Sequence, residues 1–289
     1  MDADRAGAEE ATVTTATASE TGAGTHPLLE LKGVHKSFGA VRALTDVDFE
    51  VYPGEVVALV GDNGAGKSTL IKAISGIQPG DTYEAKFEGE SVNLDTPQDG
   101  TRLGIATVYQ DLALADNLDV VENLYLGREV TGFGVGKNLR LLDEVAMEKR
   151  TRELLDELKV RTLRSVRTDV GALSGGQRQS VAIARSLLGE PKLVMLDEPT
   201  AALGVAQTAE VIALVKRLRD RGLGVVVISH NLANIFEMAD RIIVLYLGRR
   251  SATFDKATST REQVVAAITG ASENGAGDGP ATGQGRESR

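Results

Sequence analysis

The stretch GDNGAGKST, residues 61–69, leaves the backbone almost bare: Gly61, Gly64 and Gly66 alternate with small residues before Lys67 and two hydroxyls. A loop with so few side chains can turn its own N–H groups inward, and N–H groups converging ahead of a helix make a nest for an anion. The spacing G-x-x-x-x-G-K-[ST] fits phosphate. Gly61 and Gly66 frame the turn, Lys67 can reach the outer phosphates of a nucleotide, and the Ser68 hydroxyl can ligate Mg²⁺. Asp62, Asn63, Gly64, Ala65 and Thr69 complete the nucleotide-binding candidates here. The flanks supply the required context of strand and helix. EVVALV (55–60) reads as a buried strand, and STLIKAISG (68–76) places Leu70, Ile71 and Ile74 on one helical face before Gly76. A dinucleotide fold would want G-x-G-x-x-G, whereas these glycines run G-x-x-G-x-G and are followed by Lys-Ser, so the loop is read as a nucleoside triphosphate site.

A chain of 289 residues, 42% hydrophobic, can bury a full core around such a loop. Its ends subtract from that core. Residues 1–27 and 271–289 are rich in Ala, Thr, Gly and Ser with almost no large apolar side chain, and cannot offset the entropy of ordering. They are expected to be disordered tails on a folded unit of residues 28–270. The formal charge is −9, of which residues 1–27 carry −4 and residues 271–289 carry −1, leaving −4 for the folded part. That mild acidity argues against nucleic acid as a main partner. With no cysteine, disulfide and thiolate chemistry are excluded, and His26, His35 and His230 are too scattered for a zinc site. The compartment expected is cytosolic. The N-terminus lacks the apolar stretch of a signal peptide, and runs such as IIVLYL (242–247) fall far short of a membrane span.

Strand signals dominate from Leu28 to Gln110, where Val47, Phe49 and Val51 alternate ahead of a Pro53-Gly54 turn. From Leu112 to Gly189 the period becomes helical, with Leu118, Val121, Leu124 and Tyr125 on one face and Met147, Leu154, Leu155 and Leu158 on another, which predicts an inserted helical subdomain. Strand and helix then alternate: KLVMLDE, a helix over 206–221, GVVVISH, a helix over 231–239, and the hairpin-like RIIVLYLGRRSATF. Such alternation implies an α/β fold with a mainly parallel sheet covered on both faces. The last helix is expected to open on a capping box, Ser259 to Glu262, and to stop at Gly270.

Hydrolysis needs a metal-holding carboxylate and a group that activates water as well as a phosphate cradle. KLVMLDE (192–198) ends a buried strand with both: Asp197 can orient Mg²⁺ and Glu198 can polarise the attacking water. LSGGQ (173–177) is the most specific stretch in the chain. Ser174, Gly175 and Gly176 precede a helix carrying Val181, Ile183, Ala184, Leu187 and Leu188, which makes a second helix N-terminus suited to an anion. Capping alone accounts for Ser174 and one glycine, but not for both glycines followed by Gln177.

The phosphate loop, LSGGQ and LVMLDEPT in this order resemble the ATP-binding subunits of ABC transporters over residues 28–270. The resemblance implies a P-loop NTPase (RecA-like) core with a β-rich edge and a helical subdomain at about 112–189. It also implies a head-to-tail homodimer that holds each ATP, with Mg²⁺, between the Lys67 loop of one copy and Ser174, Gly175, Gly176 and Gln177 of the other. It further assigns Phe38 to stacking on adenine, Gln110 to sensing Mg²⁺ and the γ-phosphate, and His230 to contacting the γ-phosphate. One departure stands out. Where the family usually reads close to S-A-L-D, this chain has AALG, so Gly204 replaces an aspartate that helps join the two sites. The stretches VYQDLALADNLDVVENLYLGRE (108–129) and EPTAALG look like the ribose, xylose and fructose group of sugar-import ATPases. That likeness implies a peripheral protein on the cytoplasmic face of the membrane, docked through residues 112–126 beneath two permease subunits and fed by an extracytoplasmic sugar-binding protein. A soluble ATPase without a permease and a transporter of non-sugar cargo remain open as alternatives.

Overall fold

The computed structural model describes residues 26–133 and 140–271. Apart from His26, Pro27 and Ala271, the tails expected at 1–27 and 271–289 lie outside the described residues. The chain begins with a long antiparallel pair, β1 (Leu29–Phe38) and β2 (Val41–Val51), in which Val47, Phe49 and Val51 face inward between more exposed neighbours. The Pro53-Gly54 turn leads into β3 (Val56–Val60), buried along its whole length, and then α1 (Lys67–Ile74), whose Leu70, Ile71 and Ile74 are buried. Next come β4 (Thr82–Phe87), β5 (Glu90–Ser91), α2 (Pro97–Leu103) and β6 (Ile105–Val108). The middle of the chain holds α3 (Val120–Tyr125), β7 (Thr131–Phe133), β8 (Arg140–Leu142), α4 (Glu144–Glu157) and α5 (Gly175–Leu187). Last come β9 (Leu193–Asp197), α6 (Val205–Asp220), β10 (Gly224–Ile228), α7 (Leu232–Met238), β11 (Arg241–Tyr246), β12 (Arg249–Asp255) and α8 (Arg261–Ile268).

Six strands form the central sheet in the order β12-β11-β3-β10-β9-β6, all neighbours parallel except the antiparallel edge strand β12. Its inner strands are apolar at nearly every position because both faces are covered. The pleat sends Val56, Ala58 and Val60 toward one core with residues of α5 and α6, while Val57 and Leu59 join another with β1, β2 and α1. A second, antiparallel sheet, β2-β1-β4-β5, covers this latter side and is the expected β-rich edge. Because β3, β6, β9 and β10 run parallel, their carboxyl ends open on one edge of the sheet, where open α/β sheets receive ligands.

Three features differ from the expectation. The helical insert also contains the antiparallel pair β7 and β8, with Thr131 opposite Leu142. Within the stretch read as mostly strand, Thr96 and Asp99 form a capping box with Pro97 in the first turn, and this starts α2. The last helix is capped one residue later than expected: Thr260 accepts from the Gln263 N–H at 3.3 Å, and the Thr260 N–H donates to Gln263 Oε1 at 2.8 Å. Both Ser259-x-x-Glu262 and Thr260-x-x-Gln263 satisfy the box, and the second is used. Among the described residues, no helix is long and apolar enough to cross a membrane.

Candidate active site

The loop between β3 and α1 is built by its glycines. Gly61 has φ +153°, and a Cβ on it would sit 2.3 Å from the Leu245 carbonyl oxygen; Gly66 has φ +101°, and its Cβ would meet the Ala43 oxygen and Leu44 Cδ2 at 2.8 Å. Gly64 also has positive φ, yet a Cβ there meets nothing within 4 Å, so the space beside the loop is open. Gly66 is the N-cap of α1 and offers no side-chain acceptor. The first-turn N–H groups of Lys67, Ser68 and Thr69 therefore have no intrahelical partner and remain available to an anion. The Asp62 carboxylate accepts from the Asn63 N–H at 2.7 Å, and the Asp62 carbonyl accepts from the Ala65 N–H at 3.1 Å, which closes the turn. Lys67 Nζ crosses the loop and donates to the carbonyls of Gly61 and Asp62 at 2.8 and 2.9 Å. Burial lowers the Lys67 pKa, opposed by the charges of Glu198, Asp62 and Asp197. Gly66→Ala meets both a left-handed backbone and a blocked Cβ. It is expected to destabilise the fold by more than about 1 kcal/mol, read by urea unfolding, and to weaken nucleotide binding; a variant as stable as the parent contradicts this account of the loop.

Asp197 ends β9 opposite Ile228 of β10, beside the loop. Burial raises its pKa first and the neighbouring Glu198 second, with Lys67 and Lys72 opposing. Glu198 has φ +53°, a region costly for a residue with a Cβ, and its N–H is held by the Ile228 carbonyl at 3.0 Å. Its carboxylate lies 2.8 and 2.7 Å from His230 Nδ1. A carboxylate can only accept, so this contact directs the Nδ1 proton at Glu198. The His230 side chain is 75% exposed and that of Glu198 only 18%, which leaves the imidazole facing outward. Gln110 is exposed two residues beyond Val108, which pairs with Leu196, so it lies at this same edge. Phe38, at the end of β1, is 45% exposed. A core role for its ring is thereby excluded. Lys36 Nζ lies 5.6 Å from the ring centroid and is tied to Asp81 at 2.9 Å.

LSGGQ starts α5 as expected, with a different division of labour. The Ser174 N–H donates to Gln177 Oε1 at 2.9 Å, the Gln177 N–H approaches Ser174 Oγ at 3.4 Å, and Gln177 Nε2 donates to the Thr162 carbonyl at 2.6 Å. A capping box thus accounts for Gln177, whose side-chain amide is engaged within its own chain. A Cβ on Gly176 would lie 2.9 Å from Gln207 Cβ, and one on Gly175 would lie 3.1 Å from Leu203 Cδ2. Close packing against the start of α6 therefore requires Gly176 and favours Gly175. Ser174 and Gly175 are exposed at the helix head, and among the described residues no hydrogen bond joins LSGGQ to the Lys67 loop of the same chain. Gly204 caps α6 through its N–H, which donates to Gln207 Oε1 at 3.2 Å. Two contributors carry no local sequence signal: the Leu245 carbonyl behind Gly61, and Gly248, whose N–H donates to the Ala65 carbonyl at 3.2 Å.

Comparison with known proteins agrees with this geometry. The family model described as ABC transporter matches residues 44–201. The fructose import ATP-binding protein of Rhizobium meliloti is 46% identical over 248 residues, covering 86% of this chain and 95% of that protein. The xylose/arabinose import ATP-binding protein of Sulfolobus acidocaldarius is also 46% identical, over 84% of this chain and 94% of its own length. Among solved structures, a dimeric post-hydrolysis ATP-binding cassette bound to ADP and phosphate superposes with a TM-score of 0.65 at 28% identity, covering 79% of this chain and 98% of the other. A phosphate loop, a carboxylate pair at the strand ends and a second glycine-rich helix head, in a chain alike over nearly its whole folded length, lead to one conclusion: the protein belongs to the ABC transporter family and is an ATP hydrolase of the P-loop NTPase fold.

Proposed function

We propose that the protein powers the import of a monosaccharide, working as a homodimer on the cytoplasmic face of the membrane beneath two permease subunits, with an extracytoplasmic binding protein delivering the sugar. The observation that carries the cargo class is the likeness, over nearly their full lengths, to two relatives named for sugar import. In this reading ATP lies with its phosphates on the Lys67 loop and its base on Phe38. Ser174, Gly175 and Gly176 of a second copy close over it. The residues fit that substrate: the loop offers open space at Gly64, free N–H groups at the start of α1, and a lysine. They also fit Mg²⁺, because Ser68 is exposed at the same helix start and the half-buried Asp197 carboxylate, beside Glu198, ends β9 as a second oxygen donor. Bound by Ser68, Asp197 and Gln110, the ion would neutralise charge on the phosphate oxygens. Glu198 accepts the proton of the attacking water, and His230 orients Glu198 through Nδ1 while its exposed edge reaches toward the γ-phosphate.

Docking has a candidate surface. A cleft of about 410 Å³ opens between the β6 edge and the helical subdomain, its walls including Ile77, Thr101, Tyr109, Leu112, Leu126 and Arg185. It lies directly after Gln110 along the chain, where a permease segment could bear on the site. Co-expression with and without the permease, followed by membrane fractionation, tests the reading. The chain is expected in the membrane fraction only with the permease, and its ATPase is expected to rise when the sugar-loaded binding protein is added. A chain that stays soluble in both cases favours the non-transport alternative.

A further inference from the structure

We infer that Arg185 is a positioning residue that ties the turn after Gln110 to the helix headed by Ser174, so that closure of that helix head on nucleotide moves the wall of the cleft. The inference rests on the composite ATP site proposed above. From α5, the Arg185 guanidinium donates to the carbonyls of Ala113 and Leu112, both at 2.7 Å, from Nη1 and Nη2 respectively. Among the described residues no carboxylate pairs with it, and burial first and Arg128 second lower its pKa, so carbonyl dipoles alone hold the charge. The receiving turn has a fixed shape of its own, since Ala113 has φ +47° and its N–H donates to Asp111 Oδ1 at 3.1 Å. Asn123 of α3, fully buried, fastens the next residues. Its Oδ1 accepts from the Ala115 N–H at 2.8 Å, and its Nδ2 donates to the carbonyls of Ala115, Leu118 and Asp119 at 3.0 Å each.

On the other side of Gln110 the attachments change. Val108 is in the ladder with Leu196, and the Tyr109 hydroxyl donates to Ser75 Oγ at 3.0 Å, at the end of α1. The chain therefore passes from sheet-held to helix-held over Gln110 and Asp111. Gly175 and Arg185 lie ten residues apart on one unbroken helix, about 15 Å at 1.5 Å per residue. A rigid rod with the nucleotide-facing glycines at one end and a two-pronged grip on the cleft wall at the other transmits displacement.

The chain has no cysteine, so Leu126→Cys, an exposed position in the cleft wall, accepts a single environment-sensitive fluorophore. In a Glu198→Gln background, ATP with Mg²⁺ is expected to shift its emission in a saturable way. Arg185→Gln is expected to reduce the shift by about fivefold or more while a fluorescent-nucleotide titration stays within about twofold, since the residue transmits rather than binds. Arg185→Lys keeps the charge but cannot bridge both carbonyls, and is expected to be intermediate. A full parent shift in either folded variant overturns the inference, and melting curves identify any variant that does not fold, in which case the other decides. A labelled parent that binds ATP without a shift also overturns it, whereas a parent that fails to bind ATP refutes the proposed site itself.

Discussion

Glu198→Gln retains nucleotide binding and loses steady-state ATP hydrolysis by about 10² to 10⁴-fold, the range expected when a positioned general base is removed. The amide preserves the shape of the side chain and can still accept from His230 Nδ1, which lies within 2.8 Å of the carboxylate. What it cannot do is take a proton from water. Phosphate release and a fluorescent-nucleotide titration on the same preparation separate the two effects. Hydrolysis at the parent rate would remove Glu198 from the role assigned to it.

Lys67→Ala is expected to act one step earlier, by abolishing tight nucleotide binding. Nζ is anchored on the carbonyls of Gly61 and Asp62 and held between opposing pulls of burial and the nearby carboxylates. The alanine variant loses a cation at the point where phosphate charge accumulates and leaves two loop carbonyls turned inward. A hydrogen bond to a charged group is worth about 1.5–3 kcal/mol, so the dissociation constant for ATP should rise by about ten- to a hundredfold or more. Titration calorimetry reads this directly. A variant that binds like the parent would show that the backbone nest alone holds the phosphates.

Much of this site was legible along the chain because its parts are local. A phosphate nest is written in a few consecutive residues, since glycine most readily takes the positive φ found at Gly64 and Gly66, and the carboxylate pair sits at the end of an apolar strand. Period-two and period-3.6 patterns likewise fixed β2, α4 and the terminal hairpin. What escaped was non-local or degenerate. The packing of Gly176 on Gln207 and of Gly61 on the Leu245 carbonyl brings together segments far apart in sequence, so each glycine looks like a ligand contact when it is also a steric necessity. The capping role of Gln177 was hidden because a capping box and a binding motif use the same residue types. The one-residue slip at the last helix has the same origin, two overlapping capping boxes of equal quality. The grip of Arg185 on Leu112 and Ala113 spans a separation no motif records.

The central claim is that the site is completed by a second copy, because Ser174 and Gly175 face solvent and no hydrogen bond joins them to the Lys67 loop of their own chain among the described residues. Light scattering of Glu198→Gln with ATP and Mg²⁺ tests this most directly, since a ligand bound only between two copies favours the dimer by mass action. The account predicts a doubling of mass that requires ATP, is absent with Lys67→Ala, and is blocked when Ser174→Arg is added to Glu198→Gln. A Glu198→Gln protein that binds ATP and stays monomeric, or one that dimerises equally well with Ser174→Arg, contradicts it.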